Sequence, residues 1–153
     1  MSTAIYNTAF ASLAAEDTVA DALEHMLGNR VSDLPVLDAD GRFLGLLSLQ
    51  RLLGMLLPKA AIIGDDGVPD LSFTSETLDR LRERVHEIED TPVRELAVRP
   101  EHVVSPEVSP VEIVLLLHRG ANSIPVVEPG TGMLVGMATA RDVLAAIHGG
   151  GSK

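Results

Sequence analysis

Hydrophobic and polar positions follow two rhythms along this chain. Pro35-Val-Leu and Phe43-Leu-Gly-Leu-Leu are short apolar runs flanked by turn residues, as buried strands are. Before them, Val19, Leu23, Met26 and Leu27 fall on one face of a helix predicted over 19–27. After them, residues 49–57 form an apolar helix. The order returns in the second half of the chain, where a helix-like stretch at 111–118 precedes two apolar runs and a last helix at 140–147.

The two halves also match residue by residue. Ser32-Asp-Leu-Pro-Val-Leu-Asp returns as Asn122-Ser-Ile-Pro-Val-Val-Glu, each followed by a polar turn ending in Gly41 or Gly132. Arg42-Phe-Leu-Gly-Leu-Leu-Ser then corresponds to Met133-Leu-Val-Gly-Met-Ala-Thr, so Pro35 pairs with Pro125 and Gly45 with Gly136. One such helix–strand–strand–helix unit buries too little surface to stand alone, whereas two packed about a pseudo-two-fold axis share a core. The class is α/β. The units are placed at 1–57 and 100–148, with a connector at 58–99 and a flexible Gly-rich tail at 149–153. In the connector, residues 63–70 read as loop, with Asp65 and Asp66 solvated. Leu78, Leu81, Val85 and Ile88 then give an amphipathic helix over 75–90, ended by Thr91-Pro92.

Composition narrows the function. The 153 residues carry a net charge of −10, with Lys and Arg scattered singly, so a nucleic-acid binder is not expected. Without cysteine there is no disulfide, thiolate nucleophile or Cys-zinc site. The N-terminus has no signal-peptide pattern, and the apolar stretch 44–57 is interrupted by Gln50 and Arg51 and falls short of the roughly 20 residues of a membrane span. A soluble, cytoplasmic protein is expected. Asp38-Ala-Asp-Gly41 starts like a calcium loop but has Leu49 where the closing Glu is required. Gly130-Thr-Gly precedes a strand, not the helix of a dinucleotide fingerprint, and the five histidines lack metal-ligand spacing. No nucleophile elbow is present, and no enzyme, metal or resident cofactor is expected.

The twofold pattern of apolar-Pro-Val-apolar-acid, turn, and apolar-apolar-Gly-apolar-apolar-Ser/Thr resembles a tandem pair of cystathionine-β-synthase (CBS) domains, the Bateman module. Thr91-Pro-Val-Arg-Glu-Leu resembles the first strand of such a unit, with no clear counterpart in the first half. The resemblance covers nearly all of the chain except the connector. It implies a regulatory module that binds an adenosyl ligand (AMP, ADP, ATP or S-adenosylmethionine) in a cleft between units, assembles as a homodimer and acts on an effector protein outside this chain.

Thr139-Ala-Arg-Asp142 carries the site expectation, and two readings stand. In one it is a helix cap, with Thr139 taking a free N–H and Asp142 facing the positive helix end. In the other, the same helix start faces a phosphate and Asp142 accepts both hydroxyls of a ribose, as the resemblance implies. The resemblance also sets Ser32, Leu34 and Pro35 opposite, Met137 along the adenine, and Arg141 with Gln50 or Arg51 near the phosphates. Leu34, Pro35 and Met137 equally suit core packing. Ser48-Leu-Gln-Arg51 has Arg where the second unit has Asp142, so the two halves of the cleft are expected to differ; a surface salt bridge is the other reading of Arg51. So few cations suit a monophosphate or a sulfonium as well as ATP. Leu52, Leu53, Met55, Leu56 and Leu57 cannot all face one core, and with Val143, Leu144 and Ile147 they predict the dimer face. The alternative is a ligand-free dimerisation module.

Overall fold

The computed structural model describes residues 5–57 and 78–149. The loop expected at 63–70 with Asp65 and Asp66, residues 75–77 of the connector helix and the tail from 150 lie outside the described residues. In chain order the elements are β1 (Leu13–Ala14), α1 (Val19–Asn29), β2 (Asp33–Leu37), β3 (Phe43–Ser48) and α2 (Leu49–Met55). They continue with α3 (Leu78–Ile88), a 3-10 turn at Val93–Glu95, α4 (Pro110–His118), β4 (Ser123–Val127), β5 (Leu134–Thr139) and α5 (Ala140–Gly149). The class is α/β, built twice from the same parts.

Equivalent residues start equivalent elements. Thr18 accepts the Asp21 amide at 3.3 Å and Asp21 accepts the Thr18 amide at 3.0 Å, a capping box that opens α1. Ser109 accepts the Glu112 amide at 3.2 Å ahead of α4. This fixes the helix register between the repeats: Thr18 matches Ser109. On α1 the buried face is Val19, Ala22 and Met26. Leu27, expected there, is 64% exposed, because the buried face runs through Ala22 and Met26, and Leu27 lies one residue, about 100°, beyond it.

The hairpins share one register. Pro35 stands opposite Leu46 and Val36 opposite Gly45, as Pro125 stands opposite Met137 and Val126 opposite Gly136. Both copies shift register at the residue after, Val36/Leu37 and Val126/Val127. In the first turn, the Asp38 carboxylate accepts the amides of Asp40 and Arg42, each at 2.9 Å. Those backbone donors, Arg42 first, hold its carboxyl below the usual carboxylate range. The second turn is one residue longer, and the longer Glu128 side chain reaches the Gly130 amide at 3.2 Å. The two turns then bond to each other: Phe43 N–H to Gly132 O at 2.9 Å, and Leu134 N–H to Gly41 O at 3.2 Å.

The segment leading into each unit pairs with the other unit's sheet. Asn7 and Met137 exchange backbone hydrogen bonds at 2.7 and 2.9 Å, and Val98 and Leu46 exchange theirs at 2.9 Å. Both contacts run over a glycine. A Cβ on Gly45 would lie 3.1 Å from Val98 backbone, and one on Gly136 would collide with the Tyr6 ring. Asn7 is therefore the missing counterpart in the first half, matching Val98. Thr91–Leu96 is not a strand. Val93–Glu95 forms the 3-10 turn, which turns the chain so that Val93 and Leu96 bury in the first unit's core. The connector is bolted there: Thr91 O and Glu89 O accept the Val19 and Ala20 amides at 3.0 and 3.1 Å, taking donors that α1 leaves free at its start.

Each unit has its own apolar cluster, around Val36 and Leu47 in one and Val126 and Ala138 in the other. A third, of Phe43, Leu134 and Met137, sits between them with Phe10 and Leu46 packed against it. Among the described residues no helix is long and apolar enough to cross a membrane.

Candidate functional site

The strand registers bring both α2 and α5 starts to the middle of the molecule, since Ser48 pairs with Asp33 and Thr139 with Ser123. Ser48 Oγ accepts the Arg51 amide at 3.1 Å. Thr139 Oγ1 accepts the Asp142 amide at 3.1 Å and donates its hydroxyl to Asp142 Oδ2 at 2.9 Å. Thr139 and Asp142 thus meet as a helix cap, leaving the second carboxylate oxygen of Asp142 without a hydrogen bond among the described residues. Between the two helix starts, Ser123 donates to Asp33 Oδ2 at 2.9 Å across the unit boundary. Burial pushes the Asp33 carboxyl up, and the Ser123 hydrogen bond pulls it partly back.

Beside this pair lies a cavity of about 340 Å³, walled by Asp33 and Leu46 of the first unit and by residues 100–102, Leu116 and 119–123 of the second. None of the residues expected at the site from the sequence lines it. It occupies the half of the cleft adjoining the Ser48–Arg51 helix start, whereas sequence reasoning centres on the half adjoining Thr139–Asp142. Leu46 in its wall is the register match of Met137.

Leu34, Pro35 and Met137 are buried, and Met137 belongs to the cluster between the units. Ser32, Gln50, Arg51 and Arg141 are exposed, while Thr139 and Asp142 are half-buried. Arg51 makes no salt bridge among the described residues, so the surface ion pair considered for it is not formed there. Sequence reasoning missed His102, Arg119 and Asn122 in the cavity wall. The repeat carried a signal for Asn122, which aligns with Ser32. Arg119 carried none, since it precedes the matched segment.

Three comparisons set this geometry against known proteins. The family model for the CBS domain matches residues 3–58 and again 93–149. No curated protein matches the chain significantly. Among solved structures, the chain is similar to CBSX2 from Arabidopsis thaliana, at 22% identity and TM-score 0.69, over 94% of this chain and 91% of that one. It is similar to CBSX2 in complex with AMP, at 22% identity and TM-score 0.64, over 94% and 93% of the two chains. A CBS domain-containing protein from Kribbella flavida is similar at 17% identity and TM-score 0.68, over 94% and 95%. At these identities what is shared is the fold.

Proposed function

This chain belongs to the CBS domain family, and on that premise we propose that it is a regulatory module that binds an adenosyl ligand between its two units. The observation that carries the reading is the cleft where the two repeats meet: its half at the Ser48–Arg51 helix start holds a cavity of about 340 Å³, the size of a small-molecule site, and the repeat sets an equivalent half at Thr139–Asp142. That the similar CBSX2 was crystallised with AMP supports the ligand class. In this reading Asp142 takes the ribose hydroxyls through the oxygen that Thr139 leaves free. Ser32, Pro35 and Met137 border the base side, and Arg141 and Arg51 approach the phosphate side. Arg51 has no acceptor for a ribose, so the Asp142 half is the ribose-binding one. The ligand acts by binding one arrangement of the units more tightly than another, and an effector protein reads the result.

Calorimetry with AMP, ADP, ATP, S-adenosylmethionine and NADH tests this. At least one adenosyl compound binds more tightly than millimolar, Asp142→Ala abolishes that binding, and Arg51→Ala weakens it modestly. Binding weaker than millimolar for all of them refutes the reading. In that case the second reading holds, a ligand-free dimerisation module, which the self-contained Thr139–Asp142 hydrogen bond favours.

A further inference from the structure

Resting on the reading above and sharpening it, we infer that His25 recognises the purine base in the half of the cleft that holds Met137 and Asp142. The repeat places it there. With Thr18 and Ser109 as matching caps, His25 on α1 stands where Leu116 stands on α4. Leu116 lines the cavity of the other half together with Leu46. By this correspondence we assign His25 to the equivalent wall of the other half, where Met137 is the register match of Leu46.

Its chemistry marks it out. His25 Nε2 is shielded from solvent and has no hydrogen-bond partner, alone among the buried side-chain nitrogens and oxygens of the described residues. Leaving such an atom unmatched is unfavourable, and buried polar groups are otherwise almost always paired. Folding does not call for an imidazole at this position, because the second repeat fills the same register with leucine. The unmet nitrogen is thus matched to something that arrives.

The base end of an adenosyl ligand fits best. Phe10 matches Glu101 in the cavity wall, since Asn7 matches Val98, and it packs against Phe43, Leu134 and Met137. These side chains make the Met137 side of the half-cleft apolar. A purine edge offers ring-nitrogen acceptors and an exocyclic group, and an imidazole nitrogen can donate or accept according to its tautomer.

The test is calorimetry with AMP and GMP on wild type, His25→Leu and His25→Gln, with melting curves of each without ligand. His25→Leu lowers AMP affinity about tenfold, narrows the ratio of AMP to GMP affinity, and leaves the unliganded melting temperature equal or higher. His25→Gln recovers most of the AMP affinity. Unchanged AMP affinity or an unchanged AMP/GMP ratio in His25→Leu overturns the inference. So does a loss of affinity that accompanies a lowered melting temperature and is not recovered by glutamine. If wild type fails to bind AMP the inference falls, and if it binds none of the other adenosyl compounds either, the reading it rests on falls with it.

Discussion

Ser123 and Asp33 hold the same place in the two repeats, yet they differ in kind and bond to each other across the unit boundary at 2.9 Å. A strict repeat would set two identical side chains there, two carboxylates or two hydroxyls. The mixed pair gives one donor and one acceptor. Removing the donor strands a half-buried acceptor, so Ser123→Ala lowers stability by about 1 kcal/mol at neutral pH. It also drives the Asp33 carboxyl further up, so the deficit shrinks in acid. Denaturant titrations at two pH values check both points.

Asp33 sets a pH dependence of definite sign. Its folded-state pKa is raised by burial, so the folded protein holds that proton more firmly than the unfolded chain. Its contribution to stability is full below the ordinary carboxylate range and is lost as pH rises through the raised value. Asp33→Asn keeps the contact with Ser123 and cannot ionise. The stability of wild type relative to Asp33→Asn therefore falls as pH rises from the ordinary carboxylate range through the raised value, as read by paired thermal melts. A flat difference would show that the carboxyl titrates normally.

Gly45→Ala puts a methyl group 3.1 Å from the Val98 backbone, which is also hydrogen-bonded to Leu46 and cannot swing away as a side-chain tip could. The expected loss is about 1–3 kcal/mol, with faster amide exchange at Val98. Gly54→Ala, where nothing lies within 4 Å, is the control and leaves Val98 exchange unchanged.

Thr139 and Asp142 separate capping from binding. Thr139→Ala removes the acceptor for the Asp142 amide and costs about 1 kcal/mol of stability. Asp142→Asn keeps an oxygen near the helix start, so it changes melting less, yet it removes the charge proposed to hold a ribose and cuts AMP affinity at least tenfold. Equal AMP affinity in wild type and Asp142→Asn would leave the residue as a cap alone.

Leu53 and Leu144, on the matching helices α2 and α5, are 63% and 64% exposed. Light scattering at micromolar concentration is expected to give twice the chain mass, and the double variant Leu53→Glu/Leu144→Glu the mass of one chain. A wild-type mass of one chain overturns the dimer.

Much of the fold was legible because the duplication prints it twice. Pro35 with Pro125 and Gly45 with Gly136 gave the hairpins, and Ser48 and Thr139 gave the helix starts. The leading segment at Asn7 was not legible, since it joins the sheet through backbone bonds and exposes its side chain, leaving no hydrophobic pattern. Thr91–Leu96 misled for the opposite reason. Its apolar Val93 and Leu96, three residues apart, suit a tight helical turn as well as a strand, and packing against α1 decided between them. At the site, spacing disclosed the Thr139–Asp142 pair. It could not disclose the cavity beside Asp33 and Ser123, because its walls at 100–102 and 119–123 are loops without periodicity. His25 read as one more isolated histidine until its shielded Nε2 and its leucine counterpart were known.

The crossed pairing of the leading segments also governs how the chain can be made. Asn7 leaves the ribosome early, but its partner Met137 lies roughly 130 residues later, among the most distant contacts the chain can form and so among the slowest to close. The first unit in turn lacks the strand at Val98 until the connector has emerged. The first unit is thus completed when Val98 emerges, and the second only when β5 emerges to meet Asn7, which has waited unpaired until then.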